Sequence, residues 1–401
     1  MHGGGVDKKA EWDARGQWVK DRMPVSKIVG RTVKLHRAGN EYDGLCPFHN
    51  DRKLGSFKVN DTKGIYFCFS CKATGDVIKF LTESNGWKYS EAVLELEKEL
   101  GGGAQVALAD PAKRAEWEAE RAARDAADEA DRQRRSTRAA NLWHGSDPMA
   151  GMRRDGVPQW TPPLSYFAGR GIDFRPLGKV PGALRWRPDI GHQEFRGQPD
   201  NRHTAIIACV LRLDGSICAV HRTYLDVSQW DHRTRSGPVG KMQGLADPKL
   251  AKMSMGPVFG GHIPLWKGAS DKPLRDIPEG TDIYMSEGKE DGLSVAISAP
   301  DRRVIAGVSG SNLANVELPP QMGRLILIGQ RYPFGKLDKD GRDIAGECDE
   351  GFEAAVAAHQ EQGRQVSVMW PPEGFKDWND VLTGKRIGAN IGGGSGCLGA
   401  Q

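Results

Sequence analysis

Cys46-Pro47-Phe48-His49 and Cys68-Phe69-Ser70-Cys71 decide how the N-terminal part of this chain is read. Each is a pair of metal-binding side chains two residues apart, and eighteen residues separate His49 from Cys68. Such a pair aims two donors from one tight turn, and two turns complete a closed tetrahedral zinc site. Ser56-Phe57-Lys58-Val59-Asn60 and Ile65-Tyr66-Phe67 between them read as paired strands around a turn from Asp61 to Gly64. The expectation is a zinc ribbon, with Cys46, His49, Cys68 and Cys71 holding a structural Zn²⁺. Metal binding contributes about 10–16 kcal/mol in zinc-finger peptides, so a domain this small is expected to need zinc to fold. The other thiols, Cys209, Cys218, Cys348 and Cys397, are scattered, and a total of seven does not describe a disulfide framework.

Outward from this site the chain divides by composition. Residues 1–20 form a polar, charged leader, frayed or helical. Residues 21–104 carry the cysteine group and close on a helical pattern, Glu91-Ala92-Val93-Leu94-Glu95-Leu96, stopped by Gly101-Gly102-Gly103. Residues 105–145 are dominated by Ala, Glu, Asp and Arg. Mixed charges at three- and four-residue spacing, without sustained apolar heptads, predict a solvated helical linker rather than a coiled coil. Residues 146–275 are rich in Pro, Gly and aromatics. There, Thr204 to Leu211 and Ile217 to His221 flank Asp214-Gly215, a hairpin signal. Residues 276–385 alternate: strands at 283–285, 303–306, 325–328 and 366–369, helices at 291–298 and 352–362. That order predicts an α/β unit on a mostly parallel sheet. Residues 386–401 form a Gly-rich tail, expected to be disordered. The whole is a multidomain α+β protein.

At 401 residues the chain is too long for one ordinary domain, and 38% hydrophobic content suffices for real cores. No run of eighteen apolar residues predicts a membrane helix, and Met1-His2-Gly3-Gly4-Gly5 does not open a signal peptide. A cytoplasmic protein with no membrane partner is expected. A net charge of +4 permits nucleic-acid binding without arguing for it.

The ribbon has a family likeness. Cys46-Pro47-Phe48-His49, Ser56-Phe57, Tyr66-Phe67-Cys68-Phe69-Ser70-Cys71 and Gly75-Asp76-Val77-Ile78-Lys79-Phe80-Leu81 together resemble the zinc-binding domain of bacterial and phage DNA primases. The likeness covers about residues 24–100. It implies contact with single-stranded template, for which Lys58, Lys63 and Lys72 can meet phosphates. Phe57, Tyr66 and Phe69 are candidates to stack bases, with ribbon core the alternative for each.

A second likeness lies downstream. Ser286-Glu287-Gly288-Lys289-Glu290-Asp291-Gly292-Leu293-Ser294 follows a strand, opens a helix, and resembles the first motif of Toprim domains, shared by primases, topoisomerases and some nucleases. The resemblance implies that Glu287 is a general acid/base and a ligand of Mg²⁺ or Mn²⁺. Lys376-Asp377-Trp378-Asn379-Asp380 is similar to the closing acidic motif, which adds Asp377 or Asp380. Asp214 to Arg222 and Pro248 to Ser254 resemble the half of the primase core that precedes Toprim, and so imply nucleotide or template contacts for Arg222, Lys249 and Lys252. The chain departs from the family after Leu325-Ile326-Leu327-Ile328. There Gln330 and Tyr332 stand where an Asp-x-Asp pair is expected, and Asp338-Lys339-Asp340 restores the pattern only farther on.

Two readings follow. One is a primase of phage or plasmid type, making short primers on single-stranded DNA from nucleoside triphosphates. Glu287, Asp377, Asp340 and Asp338 would then be catalytic. No G-x-x-x-x-G-K-[ST] loop is present, so a helicase would be a separate partner. The other is a primase-derived DNA-binding or replication accessory protein that no longer polymerises. A Toprim nuclease is a third reading, against which the ribbon weighs.

Overall fold

The computed structural model describes residues 8–49, 51, 54–68, 71, 73–102, 104, 110–149, 151–152, 158–331 and 350–386. Phe69, Lys72, Tyr332, Asp338, Asp340 and all but the first residue of the Gly-rich tail lie outside them. The chain forms two compact units, Met1–Glu129 and Ala130–Gln401. Among the described residues no helix is long and apolar enough to cross a membrane.

The first unit is a sequential five-stranded antiparallel sheet, β1 (His36–Ala38), β2 (Glu41–Gly44), β3 (Phe57–Asn60), β4 (Ile65–Cys68) and β5 (Thr74–Gly75). Helix Val77–Asn85 follows, and its ends are legible in sequence. The Asp76 side chain caps it by accepting from the backbone N–H of Ile78 and Lys79 at 3.0 and 2.9 Å, and Gly86, at φ 69°, closes it in the left-handed region. Its buried face (Val77, Ile78, Phe80, Leu81) packs with Phe57, Val59 and Tyr66 in one core. The leader belongs to this fold. Lys8–Lys20 is a helix that buries Trp18 and Val19, and its Arg15 donates Nε to Glu97 Oε1 at 2.7 Å across to helix Tyr89–Glu99. Both partners of that pair are buried.

Helix Pro111–His144 occupies the predicted linker and is mostly solvated, as mixed charge requires. Apolar residues mark its exceptions. Trp117 is buried and donates Nε1 to Asp21 Oδ2 at 2.8 Å within the first unit, and Ala139 is buried beneath the sheet of the second.

The second unit holds two main sheets. After β6 (Asp147–Pro148) and a small pair, β7 (Gly151–Met152) with β8 (Pro158–Gln159), the first sheet is built from β9 (Leu184–Ile190), β10 (His203–Leu211), β11 (Ile217–Asp226), β12 (Gly240–Lys241) and β13 (Lys252–Met255), with β6 on its edge. The hairpin predicted around Asp214-Gly215 is β10–β11. The second sheet has the order β14 (Ile263–Trp266), β16 (Arg303–Ala306), β15 (Thr281–Ser286), β17 (Met322–Ile328), β18 (Val366–Met369). Only β14 runs antiparallel.

The apolar runs of this sheet are continuous because both faces are covered, as parallel sheets require. Tyr284, Ile326 and Ile328 join one core with Leu293 and Ala296 of helix Lys289–Ser298; Ile283, Met285, Leu325 and Leu327 join another with Phe352 and Ala355 of helix Glu350–Glu361. The chain leaves β15 toward β16 on one side and leaves β17 toward β18 on the other. The crevice beyond the carboxyl ends of β15 and β17 is therefore the topological switch point, where open α/β sheets bind ligands.

Glu97→Gln should strand the buried Arg15 guanidinium. We expect the first unit to lose about 3 kcal/mol, read from the urea midpoint of the zinc-loaded protein; an unchanged midpoint would show that the pair contributes nothing.

Candidate active site and metal centre

In the first unit, the ligand atoms of Cys46, His49, Cys68 and Cys71 all lie within 4.8 Å of one another. Cys46 Sγ and Cys71 Sγ are 3.6 Å apart, and Cys68 Sγ is 4.0 Å from His49 Nδ1. A tetrahedron with zinc–sulfur bonds of the usual length has edges of about 3.8 Å, so the group has the size zinc needs. Burial, then the neighbouring Cys71 and Cys68, pushes the Cys46 thiol up. Thiolates at this spacing call for a cation between them.

Asp51 organises the group. Its Oδ2 accepts from the backbone N–H of Cys46 at 2.9 Å and from Ser56 Oγ, and its Oδ1 lies 3.9 Å from His49 Nε2. The imidazole thus turns Nδ1 toward the thiols, with a carboxylate near its other nitrogen.

In the second unit, a cavity of about 290 Å³ opens at the switch point. Glu287 and Gly288 enter it directly after β15, helix Lys289–Ser298 begins in its wall, and Gln330 follows β17. The helix can start so close to β15 because Gly292 has no side chain; a Cβ there would stand 2.4 Å from Leu265 Cδ1 and 2.5 Å from Ser286 Oγ. Asp377 lines the cavity while capping helix Trp378–Thr383, accepting from the Asp380 backbone N–H at 2.8 Å. Arg170, His221, Lys241, Lys252 and Lys376 complete the polar wall with Lys289, Glu290 and Asp291.

The charges are coupled. Glu290 is buried, and burial alone would raise its carboxyl, yet Lys289, Lys252 and Lys241 hold it well below the usual range. It accepts from Tyr166 Oη at 2.8 Å and Lys252 Nζ at 3.0 Å, and Lys289 Nζ lies 3.9 Å away. Lys289 donates to Thr223 Oγ1 at 2.5 Å and stands 3.5 Å from His221 Nδ1. Burial, then the charge of Lys289, keeps His221 well below its ordinary value and so a neutral neighbour. Burial brings Lys289 down to about 7 and Lys241 to about 8. Asp291 accepts from Gln330 Nε2 at 2.7 Å on one oxygen and from the Asn379 backbone N–H at 3.1 Å on the other. Burial, then the charge of Asp377, pushes it up to about 7. The oxygens of Glu287, Asp291 and Asp377 are the donors a hard divalent cation takes, and the cationic side chains beside them suit an anionic group.

Family models match the two stretches that carry these sites. The CHC2 zinc finger family matches residues 14–110. The Toprim domain family matches residues 282–386. The chain carries a CHC2 zinc ribbon and a Toprim domain. Between them, residues 133–265 match a domain of unknown function, DUF7146. Among curated proteins, the DNA primase of Rickettsia prowazekii is 40% identical over 85 residues, 21% of this chain and 14% of that protein. That of Synechococcus elongatus is 48% identical over 80 residues, 20% of this chain and 11% of that protein. The chain thus spans a small part of the curated relatives it matches. Among solved structures, the zinc-binding and RNA polymerase domains of the Aquifex aeolicus primase cover 92% of this chain, and it covers 82% of them, at 16% identity and a TM-score of 0.34. The primase fragment of the bacteriophage T7 primase-helicase covers 59% of this chain, and it covers 79% of that fragment, at 16% identity and a TM-score of 0.33. Scores this low do not establish a common overall arrangement.

The Toprim cavity gathers Glu287, Asp377 and Lys252 from the sequence expectations. It leaves out Arg222 and Lys249. Arg222 alternates with His221 and Thr223 along β11, so it falls on the other face, where Nη1 donates to Tyr224 Oη at 3.0 Å; Lys249 is exposed on the turn Pro248–Ala251. In the ribbon, Lys58 is engaged by Asp43 at 2.6 Å. Base stacking by Phe57 or Tyr66 is ruled out because both are fully buried, packed on each other and on Phe48 or Phe80.

Sequence reasoning missed Asp291, Glu290, Lys289, Lys241, Arg170 and Asn379. Asp291 had a local signal, one helical turn beyond Glu287 on a helix opening at the strand end.

The purified protein should hold one zinc ion, and Cys68→Ser should abolish it by metal analysis. Asp51→Ala should weaken zinc binding by about 10- to 100-fold in chelator competition; an unchanged affinity would remove Asp51 from the site.

Proposed function

We propose that this protein is a DNA primase of phage or plasmid replication. It binds single-stranded DNA in the cytoplasm and joins nucleoside triphosphates into short primers by metal-dependent nucleotidyl transfer, beside a separate replicative helicase. One observation carries the reading: one open cavity sets Glu287, Asp291 and Asp377 against Arg170, Lys241, Lys252 and Lys289. Those carboxylates would hold Mg²⁺ or Mn²⁺, which when bound stabilises charge developing on a transferred phosphoryl group. The cations have the chemistry to grip a triphosphate. Glu287, at the strand end, is the group to take the proton of an attacking 3′-hydroxyl. Asp338 and Asp340 are proposed to bring further carboxylates. Lys58, Lys72, Arg222 and Lys249 lie off this cavity or outside the described residues, and template phosphates are the partners proposed for them.

A second reading rests on Gln330. An amide at the end of β17 adds no negative charge, which suits an accessory protein that binds DNA without polymerising.

Primer synthesis on single-stranded DNA with labelled nucleotides separates the two. Under the first reading the wild-type protein makes primers with Mg²⁺ or Mn²⁺, and Glu287→Gln lowers the rate about 100-fold or more without loss of fold or DNA binding. Asp340→Asn should also cripple synthesis. A wild-type protein silent with both metals would establish the second reading. Affinity for single-stranded DNA should fall as salt rises, and Lys58→Glu with Lys72→Glu should reduce it; a flat salt response would contradict template binding by lysines.

A further inference from the structure

The side chain of Gln330 is placed against a carboxylate. Its Nε2 donates to Asp291 Oδ2 at 2.7 Å, while the Asn379 backbone N–H donates to Oδ1 at 3.1 Å. The opposite amide orientation would set Oε1 against a carboxylate oxygen, so the donor assignment follows from the partner. Both oxygens of a buried carboxylate therefore already accept an N–H, and each such bond occupies one of the two lone pairs of its oxygen, which makes Asp291 a weaker donor to a metal. The amide dipole also supplies part of the positive field that a cation would bring.

A second, independent observation concerns charge. The wall of the cavity carries four carboxylates, Glu287, Glu290, Asp291 and Asp377, against five cationic side chains, Arg170, Lys241, Lys252, Lys289 and Lys376. Glu290, moreover, is committed to Lys252. The lysines and Arg170 offset the carboxylate charge that would draw in a lone divalent cation. A nucleoside triphosphate reverses that balance and offers the cation further oxygens.

We infer that Gln330 sets the metal affinity of this cavity, so that a divalent cation enters with the polyphosphate of a nucleotide and binds poorly without it. The nucleotide rests on the primase reading above. The role of Gln330 toward the metal rests on Asp291 alone.

The test is an equilibrium titration of the full zinc-loaded chain with Mn²⁺, followed by the electron paramagnetic resonance of the free ion. It is run with and without a nucleoside triphosphate carrying an α,β-methylene bridge, and corrected for the Mn²⁺ that the analogue binds by itself. The wild-type protein should bind Mn²⁺ weakly alone and about tenfold tighter or more with the analogue. Gln330→Asp should bind Mn²⁺ alone about tenfold tighter than wild type or more. Gln330→Ala, which frees Asp291 without adding charge, should also bind tighter than wild type and serves where the aspartate variant does not fold. Wild-type affinity for Mn²⁺ alone equal to that of the variants, or an analogue without effect, overturns the inference. No turnover is measured, so absent primer synthesis counts against the primase reading and leaves this test intact.

Discussion

The carboxylate of Glu290 is the interaction on which the second unit turns. It is buried, and it is met at once by Lys252 from β13, Tyr166 from the helix Pro162–Ala168 and Lys289 from its own helix. Burying any of these charges alone would be strongly unfavourable. Together they fix where the antiparallel sheet meets the parallel one, and the same contact holds Lys252 at the cavity. The main-chain bridge between Leu211 and His262 joins the two sheets a second time. Neither sheet end could shift without stranding a buried ion, so the geometry of the switch point is inherited from an electrostatic requirement as much as from apolar packing.

The first unit answers a different constraint. Its sheet is built from strands of two to four residues. Sheets this small bury little area, and metal coordination takes the place of a larger core. Phe57 and Tyr66 of the hairpin point inward accordingly. Tyr66, Phe57, Phe48 and Phe80 form one stack beside the thiols, and Tyr66 sends its hydroxyl to Glu83 at 2.6 Å. Side chains used in this way are not free to stack on a ligand.

The parts legible in the sequence were those with short-range signatures. The zinc ligands come as two local pairs, the β10–β11 hairpin has its Asp-Gly turn, and the strand–helix alternation of the Toprim domain follows from apolar runs between glycines and charges. What escaped was long-range or depended on parity. Tyr166 and Glu290 are 124 residues apart, and no local pattern announces their contact. Arg222 takes its expected role from the resemblance of Asp214 to Arg222 to the primase core, but a strand alternates its faces, and its neighbours Thr223 and His221 reach Lys289 instead. The polar composition of the leader leaves a frayed end or a helix open; it is a helix from Lys8 to Lys20, and Trp18 and Val19 make it part of the core.

The end of β17 shows how a site can keep its shape while changing its electrostatic logic. A carboxylate at Gln330 would face Asp291 across 2.7 Å, and two like charges at that distance stay ionised only with a cation between them. An amide satisfies Asp291 without any ion. Elsewhere in the wall Glu290 is balanced by lysines, and Asp377 accepts from the helix it caps. At this strand end the amide of Gln330 thus takes over, by hydrogen bonding, a part that a carboxylate could play only with an ion beside it.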